Sequence, residues 1–545
     1  MSRRLLLTLT AVSLICAAPA AQAPQPQTPS RASILRGEYG RYRANNDLLF
    51  YHLDVRVDPE KRFLSGRNTI RFKMLQDDTR IQLDLYANLH VDGIVMGATP
   101  LKYQREINTV WVDFPETLKA GRTYAIDFRY SGTPAESGRF GGFAFRTDPA
   151  GNDWIFTACE GQGAAIWWPN KDQWRDEVER MDLSVAIPNG LVDVSNGKFA
   201  GKTDLGDGYT RWDWQIQYPI NNYSVSVNIG KYEHFSDPST GSGSPLDFYV
   251  LPGSLEKAKQ QFQQARPMIE AYQHYFGEYP FKKDGFKLIE VPYSGMEHQS
   301  AVTYGNRFAN GYLERDWTGV GVSTRFDFII IHESGHEWFG NAVSAADVSD
   351  MWIHEGWTTY LEVLYVERLF GAEAAVKYIN GYRSKVQNRT PIITQRGIHR
   401  APPQDMYFKG ALFLHTLRNV VNDDARWFAL IRDVFQKFKY RNILTEELVA
   451  FVNERLGRDL TPLFDQYLRR VELPVLELAF NDADGTVAYR WNAAERGFDM
   501  PIKVGARSAW QVIQPTSDWQ VMKTPLAKDA FEVASDLFYV QVRKQ

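Results

Sequence analysis

Residues 326–340 read Phe326-Asp327-Phe328-Ile329-Ile330-Ile331-His332-Glu333-Ser334-Gly335-His336-Glu337-Trp338-Phe339-Gly340. The apolar run Phe328–Ile331 leads straight into His332-Glu333-Ser334-Gly335-His336, and the pattern predicts a helix over 326–340. A helix turns about 100° per residue, so positions four apart share a face, one turn apart. Both imidazoles can then reach one cation, with Glu333 beside them as a base for a metal-activated water. Ten histidines in the chain allow such a pair to arise by chance, and a buried helix with two hydrogen-bonded histidines is the competing reading here.

Downstream sequence weighs against that competitor. Eighteen residues separate His336 from Glu355, which opens a helix predicted over 355–370. Two antiparallel helices joined by a loop would bring this first-turn carboxylate back over the histidine pair. Two His and one Glu leave a fourth zinc position open, as a catalytic site requires, whereas structural zinc more often takes thiolates. The chain has two cysteines, Cys16 and Cys159, too few for a thiolate site. The expectation is one Zn²⁺ per chain on His332, His336 and Glu355, with Glu333 as general base.

Composition bounds the rest. At 545 residues, 44% hydrophobic and 23% charged, the chain has the balance of a soluble protein of several domains. A net charge of -3 gives no reason to expect nucleic acid or anionic lipid as partner. Arg3 and Arg4, the apolar run Leu5–Ala20 and the small residues after it read as a secretory signal peptide over 1–20. That run is too short for a membrane span. The expected location is the periplasm or the outside of the cell. Only Cys159 remains after cleavage, so no internal disulfide is possible.

Periodicity divides the remainder. Residues 21–35, rich in Pro, Gln and Ser, read as a flexible tether. Alternation such as Leu53-Asp54-Val55-Arg56-Val57 predicts an N-terminal antiparallel β domain over 36–240. Residues 241–473 read as a mainly helical domain. Its helices are expected over 255–276, interrupted at Pro267, and over 408–421, 425–438 and 446–456, with a last one capped by Thr461 and running to about Arg470. Alternation returns over 474–545, with a turn at Asp484-Gly485 and strands over 486–491 and 538–542, which suits a small β-sandwich. The fold class is therefore α+β and multidomain.

The run from His332 to Glu362, with Trp338-Phe339-Gly340-Asn341 and Trp352-Ile353-His354-Glu355-Gly356, resembles the gluzincin aminopeptidases, the family of aminopeptidase N. The resemblance implies a thermolysin-like catalytic domain and a short, three-domain member, since about 75 residues follow the last catalytic helix. It also implies roles. Ser294-Gly295-Met296-Glu297-His298 is similar to the family's Gly-x-Met-Glu-Asn signature, so Glu297 is expected to bind the substrate's α-ammonium, with Gly295 and Met296 lying along the substrate backbone. Glu160, in Thr157-Ala158-Cys159-Glu160, matches a second acidic position near the amine. Tyr407, in Tyr407-Phe408-Lys409-Gly410-Ala411, matches the family tyrosine that donates to the oxyanion. Ser294, His298, Ala158 and His354 depart from the family pattern. The implied activity is zinc-dependent removal of the first residue from peptides with a free N-terminus. A zinc endopeptidase and a catalytically silent binding scaffold are the alternatives.

Overall fold

A computed structural model of the chain describes residues 28–137, 141–238 and 245–545. The expected signal peptide and the first part of the tether lie outside these residues. The end of the tether is not loose: Arg31–Gly37 is a helix, capped by Ser30 through its hydroxyl on the Ser33 N–H. Leu35 buries its side chain and its carbonyl accepts from the buried Arg43, so a composition typical of linkers ends in packed structure.

The N-terminal domain is built on an eight-stranded sheet whose centre is Asn46–Asp58 paired with Phe63–Met74. Inward residues of the first strand, such as Leu53, Val55 and Val57, are buried, as alternation predicts. The sheet departs from a purely antiparallel one at a single pair, Asn46–Asp58 beside Arg180–Pro188 in parallel register. A five-stranded sheet packs nearby and contains Gly141–Thr147 and Asp153–Ala158. Trp167 and Trp168 are fully buried, Trp168 edge-on to Tyr51, and so serve this core.

Strand Glu233–Asp237 pairs with Leu246–Val250, so the second domain begins a few residues before the expected boundary. Its five-stranded sheet ends in the short edge strand Gly295–Met296, antiparallel to Val302–Tyr304. The expected helix over 255–276 is divided in two, Leu255–Gln261 and Ala265–Phe276. Pro267 falls in the first turn of the second piece, where a missing N–H costs nothing.

The motif helix is Phe328–Gly335, shorter than its expected span. Asp327 starts it by accepting from the Ile329 and Ile330 N–H groups. Its apolar residues are buried all round, which is why no one-sided periodicity marks its end. Trp338 and Phe339 bond back to the Gly335 carbonyl and Gly340 to Val343, turning the chain into the strand Val343–Ala345. His336 therefore sits just past the helix, at its C-cap. Helix Trp352–Phe370 places Glu355 in its first turn, and helix Asp405–Val421 takes in Tyr407. The expected Thr461 cap is Leu460; Thr461 begins a helix that ends at Leu468.

The C-terminal domain has a four-stranded and a three-stranded sheet, consistent with a small sandwich. Its last strand is Gln541–Lys544; Phe538, Tyr539 and Val540 are buried ahead of it, the Tyr539 N–H donating to Thr416 on the helix Asp405–Val421.

Where the two central helices cross, Gly356 faces Gly410. A Cβ on Gly356 would meet the Met406 carbonyl oxygen at 2.9 Å and Gly410 Cα at 3.2 Å. This backbone contact sets Glu355 beside Tyr407. Gly356→Ala should cost about 1–3 kcal/mol by overpacking, seen as a lower thermal midpoint; an unchanged midpoint would show that the crossing yields freely.

Candidate active site

His332, His336 and Glu355 converge. His332 Nε2 and His336 Nε2 stand 3.3 Å apart, and Glu355 Oε2 lies 3.5 and 3.3 Å from them. Zinc bonds of about 2.05 Å at a tetrahedral angle require donor atoms about 3.3 Å apart, so the triad already has the spacing the metal needs. Glu355 Oε2 is buried without a hydrogen-bond partner among the described residues, as a ligand atom reserved for an ion would be. The residues therefore fit zinc.

Groups behind the ligands fix their orientation. His332 Nδ1 donates to Glu362 Oε1 at 2.6 Å, and His336 Nδ1 donates to the Phe339 carbonyl at 3.0 Å. Each bond holds the proton on Nδ1 and leaves Nε2 free to coordinate. Glu362 is itself held by the hydroxyls of Tyr378, at 2.7 Å, and Tyr382. Glu362 stands two turns after Glu355 on one helix, and a carboxylate within an apolar run is the mark it leaves in the sequence.

The same cavity, about 380 Å³, is lined by Glu160, Gly295, Met296, Glu297, Glu333 and Tyr407, so every expected site residue is brought together. Gly295 has a steric reason to be glycine: a Cβ there would meet Ile329 Cγ2 at 2.6 Å and Glu333 Cγ at 3.0 Å. The edge strand thus lies directly against Glu333. Tyr407 donates from its hydroxyl to Glu355 Oε1 at 2.9 Å, beside the ligand triangle. Carboxylate oxygens of Glu160, Glu297 and Glu355 fall within 4.8 Å of one another.

So many acids in one cavity oppose each other's ionisation. Burial pushes the Glu333 carboxyl up to about 7 against the pull of His332, and the Glu297 charge adds to the rise. Burial and the Glu297 charge raise Glu160 well above its ordinary value, and burial raises Glu297 despite His336. Such a cluster favours a cation.

The departures from the family pattern have definite places. His354 is fully buried and stacks on Trp174 at 5.3 Å and 8°. Its Nε2 accepts the Ala345 N–H at 2.8 Å, which puts the ring proton on Nδ1, 3.4 Å from the Tyr223 hydroxyl. Tyr223 in turn donates to Glu297 Oε1 at 2.9 Å. A buried chain from the helix Trp352–Phe370 thereby aims Glu297, and nothing local in the sequence around Tyr223 announces this. Asn341 adds a bond from Nδ2 to the Glu297 carbonyl at 2.8 Å. Ser294 lines the cavity, whereas Ala158 is buried and does not line it. His298 is buried with both ring nitrogens unpartnered among the described residues, and nothing in the structure explains its choice.

Comparison with known proteins places this geometry. Residues 260–467 match the model of the Peptidase family M1 domain, and residues 48–223 match the Peptidase M1 N-terminal domain. The chain belongs to the M1 peptidase family. Among its relatives, a leucyl aminopeptidase of Saccharolobus solfataricus is 24% identical over 55% of this chain, and the human endoplasmic reticulum aminopeptidase 1 is 25% identical over 61%. The matches span only 39% and 36% of those two proteins' lengths. A solved M1 zinc metallopeptidase from Deinococcus radiodurans superposes with a TM-score of 0.67 at 21% identity, covering 79% of this chain and 95% of that one. The M1 fold is shared across all but the margins of that structure.

Glu362→Gln should weaken zinc binding about 10- to 100-fold, measured by competition with a chelator. Unchanged affinity would mean that Glu362 does not set the His332 donor.

Proposed function

We propose that this M1 protein is a zinc-dependent aminopeptidase that hydrolyses the first peptide bond of peptides with a free N-terminus. The observation that carries this reading is the distance between the acidic pair and the ligand triad. Oxygens of Glu160 and Glu297 lie within 4.8 Å of a Glu355 oxygen. In a peptide only one carbon separates the α-nitrogen from the first carbonyl. An ammonium held by those two acids therefore puts the first carbonyl at the triad and leaves no room for a preceding residue. An endopeptidase has no use for such a barrier.

Zinc bound to His332, His336 and Glu355 would supply Lewis-acid polarisation of the carbonyl and acidify the attacking water. Glu333 takes the water's proton and passes it to the departing amine. Tyr407 donates to the oxyanion that develops on the carbonyl. Glu297, aimed by Tyr223 and His354, and Glu160 hold the α-ammonium, while the free edge of Gly295–Met296 offers its backbone to the substrate. The reading extends to location: Arg3, Arg4 and the apolar run to Ala20 support export. Protein from its source that still carries Met1 would contradict that part.

Three kinetic comparisons test the mechanism. Glu333→Gln should keep its zinc and lose about 10²- to 10⁴-fold in kcat; near-normal turnover would refute the assigned base. N-acetylation of a good substrate should abolish cleavage, and continued cleavage would favour an endopeptidase. Tyr223→Phe removes one charge-assisted bond to Glu297 and should raise KM about tenfold, more than it lowers kcat. Loss confined to kcat would place Tyr223 elsewhere in the mechanism.

A further inference from the structure

The cavity has a second end that these steps leave unused. Phe328, one turn ahead of His332, stacks on that ring at 5.3 Å and 12°. Tyr312 and Trp317 pack on Phe328 at 5.5 and 5.9 Å, Phe408 lies 6.4 Å from Trp317, and Tyr382 stacks on Phe408 at 5.3 Å. All five rings line the cavity. The Lys385 ammonium sits 3.7 Å from the Trp317 ring centre, also on the lining. Among the described residues it has no ion pair or hydrogen bond. The ring face holds the cation in place without neutralising it.

The ligands sort the two ends. Glu160 and Glu297 approach Glu355, and Glu297 approaches His336, all within 4.8 Å, while Glu333 interacts with both imidazoles. His332 instead carries the rings of Phe328 and Tyr407, the latter at 6.0 Å. The acids free to hold an ammonium thus lie on the His336 and Glu355 side, and the aromatic end on the His332 side, where Glu362 is already engaged by His332, Tyr378 and Tyr382. A carbonyl placed at the triad with its ammonium on the acids directs the other half of the bond toward the aromatic end.

We propose that the aromatic end seats the residue after the cleaved bond, favours a bulky apolar or aromatic side chain there, and uses Lys385 to bind a carboxylate on the leaving fragment. The inference rests on the aminopeptidase reading. Acids at one end and an unneutralised ammonium at the other complement a short zwitterionic peptide. The carboxylate comes from the C-terminus of such a peptide or from an acidic side chain, and the two sources are separable.

The test uses zinc-loaded full-length protein and substrates sharing one accepted first residue X. These are X-amide, X–Gly, X–Phe, X–Phe-amide, X–Phe–Asp-amide and X–Phe–Asn-amide. In the unsubstituted protein kcat/KM for X–Phe should exceed that for X–Gly about tenfold or more. A free carboxylate should gain about 10- to 100-fold over its neutral partner. The gain falls in the X–Phe against X–Phe-amide pair if the terminus is the source, and in the Asp against Asn pair if a side chain is. Lys385→Met, a partly exposed position, should bring the responding ratio to about one. Both ratios near one before substitution, or a ratio that survives Lys385→Met, overturns the role of Lys385; equal rates for X–Phe and X–Gly overturn the aromatic seat. Release of X from any of these substrates in those cases shows that the aminopeptidase reading stands, whereas no release of X from any of them overturns that reading and this one with it.

Discussion

Two imidazole nitrogens and a carboxylate oxygen, buried 3.3–3.5 Å apart, hold together only if other groups fix them from behind. Most of the catalytic domain serves that constraint. Glu362 and the Phe339 carbonyl turn the two histidines, and Tyr378 and Tyr382 hold Glu362. The crossing of Gly356 over Gly410 brings Glu355 and Tyr407 together at van der Waals range of the backbone. Ligands arranged before the metal arrives need little reorganisation when it binds.

Charge is distributed unevenly around that triangle. Glu160 and Glu297 stand on the side of His336 and Glu355, while aromatic rings and one lysine stand on the side of His332. The acids repel one another, so the arrangement costs stability and favours an ammonium that relieves it. The proposed peptide substrate would thereby find a direction built into the cavity. In the proposed function, the same site orients a substrate and selects which bond reaches Glu333.

Much of this was legible in the sequence because it depends on local spacing. The i, i+4 histidines and the helix that returns Glu355 follow from periodicity, and the β domains follow from alternation. The limits of the motif helix were not legible, since a helix buried all round has no polar face to mark its end. The helix at Arg31–Gly37 was hidden by a linker-like composition that Leu35 and Arg43 override through burial. Tyr223, Lys385 and Trp317 act through contacts remote in sequence, with Tyr223 131 residues before His354. A single sequence carries no mark of such pairings. Their discovery needed the fold.

The central claim is that His332, His336 and Glu355 form one pre-set zinc site at the meeting of the acidic and aromatic ends. Anomalous diffraction at the zinc edge from crystals of the zinc-loaded protein tests it most directly. The account predicts one peak per chain, about 2.0–2.2 Å from both Nε2 atoms and from a Glu355 oxygen. A peak held by Glu160 and Glu297 instead, or no peak at the triad, would contradict it.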